Sequence, residues 1–235
     1  MARLPRVIAV DGPHHVTQRG NGRRFILDSD RDRGVYLDLL RQSLTLRDVA
    51  MMGYCLMSNH VHLVLVPGRA ESLGLALKHA HARYASYWNA IHHSSGHVWQ
   101  GRYYSCPLDA AHVWAALRYT ELNPVRAGLV TECAAWKWSS AVIHCAAVPE
   151  SGWLAMELWK SRWNSDGWRA FLEAQENASE LAAIRMSTHT GRPLGTTEFV
   201  HALERSTRRL LAPQKRGRRP RAIPDPSQGL LPLDA

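Results

Sequence analysis

With 235 residues, 46% of them hydrophobic and 21% charged, the chain is long enough for one sizeable core plus an extension, and its composition is that of a globular protein rather than a disordered one. Its apolar runs fall far short of a membrane span, and Asp11 and Gly12 end the only apolar run near the start, so neither a spanning helix nor a secretory leader is expected. A net charge of +9 directs the search for a partner toward polyanions, while Cys55, Cys106, Cys133 and Cys145 form no Cys-x-x-Cys pair and suit reduced thiols in the cytoplasm.

In chain order, a Gly-Pro turn at Gly12 and Pro13 predicts a first strand around His15–Arg19, followed by the basic, glycine-broken loop RGNGRR. Asp28, Ser29 or Asp30 can cap a helix over Asp30–Leu44 whose apolar face holds Val35, Leu39 and Leu40. VAMMGYCLMS reads as a strand ending near Met57. In NHVHLVLVP, alternation puts Val61, Leu63 and Leu65 on one face and His60, His62, Val64 and Val66 on the other, with Pro67 and Gly68 as the stop. A helix follows over Ser72–Trp88, then a polar and aromatic connection, then a second helix, LDAAHVWAALRYTELNP, which stops before Pro124.

Beyond Ser140 the pattern changes. Trp153, Trp159, Trp163 and Trp168 lie in a helix-rich stretch, and Thr196 or Thr197 can cap a helix from Glu198 to about Leu211. The expected organisation is therefore one α+β domain over residues 1–140, a small helical, basic extension over 141–211, and a basic, proline-rich tail over 212–235 that is expected to be disordered.

Several residues carry chemical options. His60 and His62 present two imidazoles on one strand face, a spacing that suits one divalent cation, although such a pair can equally be two histidines bonded to their neighbours. Tyr119 and Asn123 are four apart and stack on one face if the helix persists that far. A phenol oxygen can attack phosphorus and an amide oxygen can complete the shell of a hard cation, whereas a tyrosine in an apolar helix is more commonly packing. Tyr84, Tyr87, Tyr103 and Tyr104 compete with it. Arg19, Arg23 and Arg24 in the glycine-broken loop and Arg102 beside Tyr103 suit phosphate or base contact, although the loop can equally be a solvated, hairpin-like connection. The acid-free run from Arg205 to Arg221, with Arg208, Arg209, Lys215, Arg216, Arg218 and Arg219, suits phosphate contact too, the alternative being a solvated basic tail.

Taken together and in order, HHVTQRGNGRRFIL, YCLMSNHVHLVLVP, HVWQGRYYS and ALRYTELNPVRAGL resemble the IS200-type single-tyrosine (HUH) transposase superfamily, most nearly its REP-associated tyrosine transposases, over roughly residues 8 to 140. The resemblance implies a ferredoxin-like antiparallel sheet with packed helices. It also implies a metal site at His60 and His62, a nucleophile at Tyr119, and Asn123 on the metal side where glutamine is common in the family. It further implies Mg²⁺ or Mn²⁺, single-stranded or hairpin DNA as partner with no membrane, and a monomer or a homodimer. The location expected is the cytoplasm, at the nucleoid when DNA is bound. The competing expectations are a catalytically inactive regulator of the same fold that binds hairpin DNA or RNA, and a hydrolase of small phosphoesters.

Overall fold

The structure, a computed structural model, describes residues 5–149 and 152–211. β1 (His14–Arg19), β2 (Val49–Leu56), β3 (His60–Pro67) and β4 (Tyr104–Pro107) form one antiparallel sheet in the order β2-β3-β1-β4. β1 and β2 run in the same direction with β3 between them, so the chain must cross over, and α1 (Asp30–Leu46) makes that crossing. α2 (Ser72–Ile91) makes the equivalent crossing from β3 to β4. α1 and α2 pack on each other, and α3 (His112–Glu121) packs on β1, β2 and β3. β3 is thus covered on both faces: Val61, Leu63, Val64 and Leu65 are all fully buried.

The local chemistry explains where the elements begin and end. Ser29 caps α1 in a reciprocal box, its Oγ accepting from Asp32 N at 3.0 Å while Asp32 Oδ2 accepts from Ser29 N at 3.3 Å. The buried stripe of α1 is Tyr36, Leu40 and Leu44, a four-residue step, with the expected Val35 and Leu39 only partly buried beside it. The expected single helix up to Pro124 is two pieces. Asp109 Oδ1 accepts from Ala111 N and His112 N to start α3, which breaks at Leu122, and Pro124 sits in the first turn of α4 (Asn123–Arg126), where a missing N–H costs nothing. β4 is only four residues long and lacks an alternating pattern, and the sequence reads there as mere connection.

Past residue 140 come α5 (Ala141–His144), α6 (Glu157–Lys160), α7 (Ser165–Glu173), α8 (Ala178–Thr190) and α9 (Thr197–Thr207). Thr196 caps α9 as expected, but the helix ends before Leu211 because Arg208 turns left-handed at φ 52°. Val142, Trp159, Trp168 and Leu172 belong to the same apolar cluster as the sheet. Among the described residues no helix is long and apolar enough to cross a membrane.

Gly53 sets how closely α3 approaches. It pairs with Val64 on the face that also carries His62, and a Cβ there would run into Leu117 Cδ1 of α3 and Ser140 Oγ. Gly53→Ala is expected to push α3 off the sheet and destabilise the fold by about 1–3 kcal/mol, the usual cost of overpacking. A thermal melt reads this directly; an unchanged midpoint would mean that α3 is not seated against this strand.

Candidate metal and nucleic-acid site

The site forms where α3 crosses the end of the sheet. Thr17 pairs with His62 and Arg19 with His60, so β1 and β3 present His15, Thr17, His60 and His62 on the α3 face. Tyr119 approaches from α3, edge-on to both His15 and His62 with ring centroids 5.5 Å away in each case. These side chains border a cavity of about 490 Å³ whose mouth also carries Arg19, Arg23 and Arg185. Tyr119 itself is 9% exposed, and among the described residues its hydroxyl has no hydrogen-bond partner.

Each histidine of the pair is held through its Nδ1. His60 Nδ1 lies 2.6 Å from Asn59 Oδ1, and Asn59 Nδ2 donates to Arg23 O, which fixes the amide's orientation. His60 therefore carries its proton on Nδ1 and leaves a lone pair on Nε2. His62 Nδ1 lies 3.0 Å from His15 Nε2, the two rings stacking at 5.2 Å, and His15 Nδ1 lies 2.7 Å from Thr188 Oγ1 on α8. With protons running from His62 to His15 to Thr188, His62 Nε2 is also a free lone pair. Tying one ring nitrogen to leave the other for a cation is the usual support of a metal-binding histidine.

Burial keeps these rings neutral. It lowers His15 to about 3, with Arg126 adding to the effect, and His60 to about 4, with Arg19 adding. His62 is also driven well below its ordinary value by burial, then by His60, His15, Arg126 and Arg19. The unfolded imidazoles take up protons near pH 6.5 while the folded ones resist until about pH 4, so the fold is expected to lose stability as pH falls through that interval. Denaturant melts at pH 7.5 and pH 5 measure this; equal midpoints would contradict it.

Cations surround Tyr119. Arg126 lies over its ring at 4.4 Å and donates to Tyr119 O, and Arg185 lies 5.8 Å from the ring centroid. Arg126 is in turn held by Glu176 at 2.7 Å. Asn123 borders the same cavity with its Nδ2 donating to Tyr119 O at 2.9 Å, which leaves Oδ1 as the atom able to meet a cation. Among the described residues no group of three or more His, Cys, Asp or Glu is arranged to hold a metal. A cation on His60 and His62 therefore needs its further donors from an amide, a substrate or water, a donor set that suits a hard divalent ion.

His60, His62, Tyr119, Asn123, Arg19 and Arg23 thus converge on one cavity. The remaining expected phosphate contacts do not. Arg24 lies over Trp88. Arg102 borders a different cavity. Arg208 is the C-cap of α9, and Arg209 donates to Pro5 O and Arg6 O, tying down the start of the described chain. Lys215, Arg216, Arg218 and Arg219 lie outside the described residues.

The competing tyrosines are mostly committed elsewhere: Tyr84 to Ile26 O, Tyr87 to Asp32, and Tyr103 under Arg6. Tyr104 borders the site cavity and stacks on His189. Sequence reasoning did not find His15 as a partner of His62, nor Thr188, Arg126 and Arg185. Even alternation of β1 and β3 could have suggested His15 only if their register were already known.

The family described as "Transposase IS200 like" matches residues 11–123. Among solved structures, a REP-associated tyrosine transposase bound to a REP hairpin superposes with a TM-score of 0.51 at 15% identity, covering 60% of this chain and 82% of that one, a likeness of fold. A transposase candidate from Deinococcus radiodurans R1 aligns with a TM-score of 0.37 at 18% identity, covering 50% of this chain and 95% of that one. No curated protein matches the chain significantly.

Proposed function

Since the chain belongs to the IS200-like transposase family through residues 11–123, we propose that it is a metal-dependent single-stranded DNA endonuclease and strand transferase with Tyr119 as nucleophile. The observation that carries this reading is the placement of Tyr119 edge-on to His62, in a cavity lined by Arg19, Arg23 and Arg185, with Arg126 over the tyrosine ring. The hairpin held by the REP-associated relative supports hairpin-bearing DNA as the substrate class. The element order β-α-β-β-α-β with sheet order β2-β3-β1-β4 supports a ferredoxin-like reading of the fold. Residues 1–140 form the catalytic unit in this reading, and the extension over 141–211 braces it through Thr188 and Arg185.

Chemically, the Tyr119 oxygen attacks the scissile phosphorus, a tyrosine–5′-phosphate ester forms, and the bond to the 3′-oxygen breaks. The phenol loses its proton and the departing 3′-oxygen gains one. A second 3′-OH then reverses the exchange, so the phosphodiester's energy is conserved and no nucleotide cofactor is needed. His60 Nε2, His62 Nε2 and Asn123 Oδ1 would hold Mg²⁺ or Mn²⁺, which when bound polarises the phosphate and offsets the charge that develops on it. Arg126 and Arg185 orient the tyrosine ring and add positive potential beside its oxygen. Arg19 and Arg23 at the cavity mouth, together with Arg102, Arg208, Lys215, Arg216, Arg218 and Arg219, supply phosphate contacts along the bound strand, while Arg24 and Arg209, held by Trp88 and by the carbonyls of Pro5 and Arg6, do so only if they leave those partners.

The test is a denaturing-gel and intact-mass assay for a covalent adduct with hairpin DNA and Mn²⁺. An adduct mapped to Tyr119 and abolished by EDTA is expected. Tight hairpin binding without any adduct would instead mark a binding protein of the same fold.

Thr188→Val tests the support of the metal site. Valine keeps the shape but removes the oxygen that His15 Nδ1 meets, so His62 loses the far end of its proton chain. Mn²⁺ affinity is expected to fall roughly tenfold or more, as for other partners behind metal-bound histidines. Calorimetric titration of the DNA-free protein reads this; unchanged affinity would remove Thr188 from the site.

A further inference from the structure

A second cavity, of about 540 Å³, lies on the other face of β1. Gln18 borders both cavities. The segment that closes the sheet edge divides between them: Gln100 and Tyr104 face the first, and Gly101, Arg102 and Tyr103 face the second. Gln18 Nε2 donates to Gly101 O at 2.9 Å and Gln100 N to Arg19 O at 2.8 Å, so the partition between the cavities is a bonded piece of the sheet.

We propose that this second cavity is a nucleobase pocket, which takes one unpaired nucleotide of the strand whose scissile phosphate lies beside Tyr119. The proposal rests on the DNA reading of the first cavity. Three features carry it. The walls are apolar and aromatic, with Leu77, Trp99 and Tyr103. Arg6, Lys78 and Arg102 are the charged residues that border it and no acid does, which suits an anionic ligand such as a phosphate-bearing strand. The volume lies within the range of pockets that hold a small organic molecule, and a nucleoside is of that size.

The α2 wall adds a further argument. Gly74, Leu77, Lys78, His81, Ala82 and Ala85 recur at steps of three and four, so one helix stripe faces the cavity. Gly74 has no positive φ, and the nearest heavy atom to a Cβ there would be Tyr103 Oη at 3.9 Å. Neither the backbone nor a close neighbour requires glycine, and glycine inside a helix costs up to about 1 kcal/mol relative to alanine. What it does is keep the cavity open. The pocket is also rigid: His81 bonds Tyr36 Oη at 3.2 Å, and Trp99 Nε1 donates to His81 O at 2.9 Å.

The experiment scans an abasic site through the unpaired flank of a hairpin oligonucleotide and measures Kd for the full-length protein. One position is expected to lose roughly 5- to 150-fold, the usual worth of a stacked base. Gly74→Leu, which fills the cavity while favouring the helix, is expected to lose the same factor on intact DNA and nothing further on the abasic DNA. Lys78→Gln, at an exposed position, is expected to lower affinity and reduce the salt slope by about one phosphate contact's worth. Gly74→Leu that melts like wild type and binds with unchanged Kd and an unchanged abasic profile would overturn the pocket. So would losses that multiply, or a Lys78→Gln salt slope equal to wild type. The Tyr119 adduct is read separately on the same oligonucleotide: its absence with the abasic profile intact would sink the transesterase reading and leave the pocket standing.

Discussion

Tyr119→Phe is expected to eliminate the covalent DNA adduct and lower cleavage by roughly a thousandfold or more, as loss of an obligate nucleophile does. The substitution removes one oxygen and little else. The phenyl ring keeps its edge contacts with His15 and His62 and its place under Arg126, and the backbone carbonyl still accepts from Asn123 and Arg126. The hydroxyl has no protein partner among the described residues, so its loss leaves no buried group unsatisfied. Folding and most hairpin affinity should therefore survive, and the measurement is adduct yield and nicking at matched DNA occupancy. Cleavage near the wild-type rate would move the nucleophile elsewhere, and Tyr104, the other tyrosine bordering the cavity, would be the next to test.

Glu121→Ala is expected to cost about 3–5 kcal/mol of stability, the range for breaking a buried polar pair from one side. Two residues after Tyr119, Glu121 is fully buried. Its Oε1 accepts from Ser140 Oγ at 2.5 Å and meets His144 Nδ1 at 2.5 Å, and its Oε2 accepts from Trp168 Nε1 at 2.8 Å. One carboxyl group thus pins α3 to α5 and α7, and removing it leaves His144 Nδ1 and Trp168 Nε1 without a partner in the core, while Ser140 Oγ keeps Tyr54 O at 3.2 Å. For a chain of this length each kcal/mol moves the melting midpoint by roughly 2–4 °C, so a fall of about 6–20 °C is expected. Denaturant melts of the wild type, Glu121→Ala and Glu121→Gln measure it, with glutamine intermediate because it keeps the shape and one acceptor. A loss below about 1 kcal/mol for alanine would show that the pin does not hold α3.

Much of the scaffold was legible in the chain because it is written in neighbouring residues. Ser29 and Asp32 cap α1, Pro67 and Gly68 close β3, and Thr196 caps α9, each through contacts a few residues apart. The histidine pair and Tyr119 were legible through strand alternation and motif order. β4 was not, because four residues carry no period. Of the expected face of α1, Leu40 is fully buried, whereas Val35 and Leu39 lie on the border of the stripe that Tyr36 and Leu44 complete, and only packing against α2 decides which is buried.

The sequence by itself determined the types of β1, β2, β3, α1 and α2, the His60 and His62 pair on one strand face, the Tyr119 to Asn123 spacing and the cationic balance. The tertiary structure alone decided that His15 stands behind His62, that Thr188 ends their hydrogen-bonded row from 173 residues away, that Gly53 lets α3 descend onto the sheet, and that Arg24 and Arg209 are bound elsewhere while Arg126 and Arg185 flank the tyrosine. The reason is range. Caps, turns and alternation are set by backbone groups within a few residues, whereas which side chains share a cavity depends on strand register and on the side from which each crossing helix returns, and a chain fixes both only when its core closes.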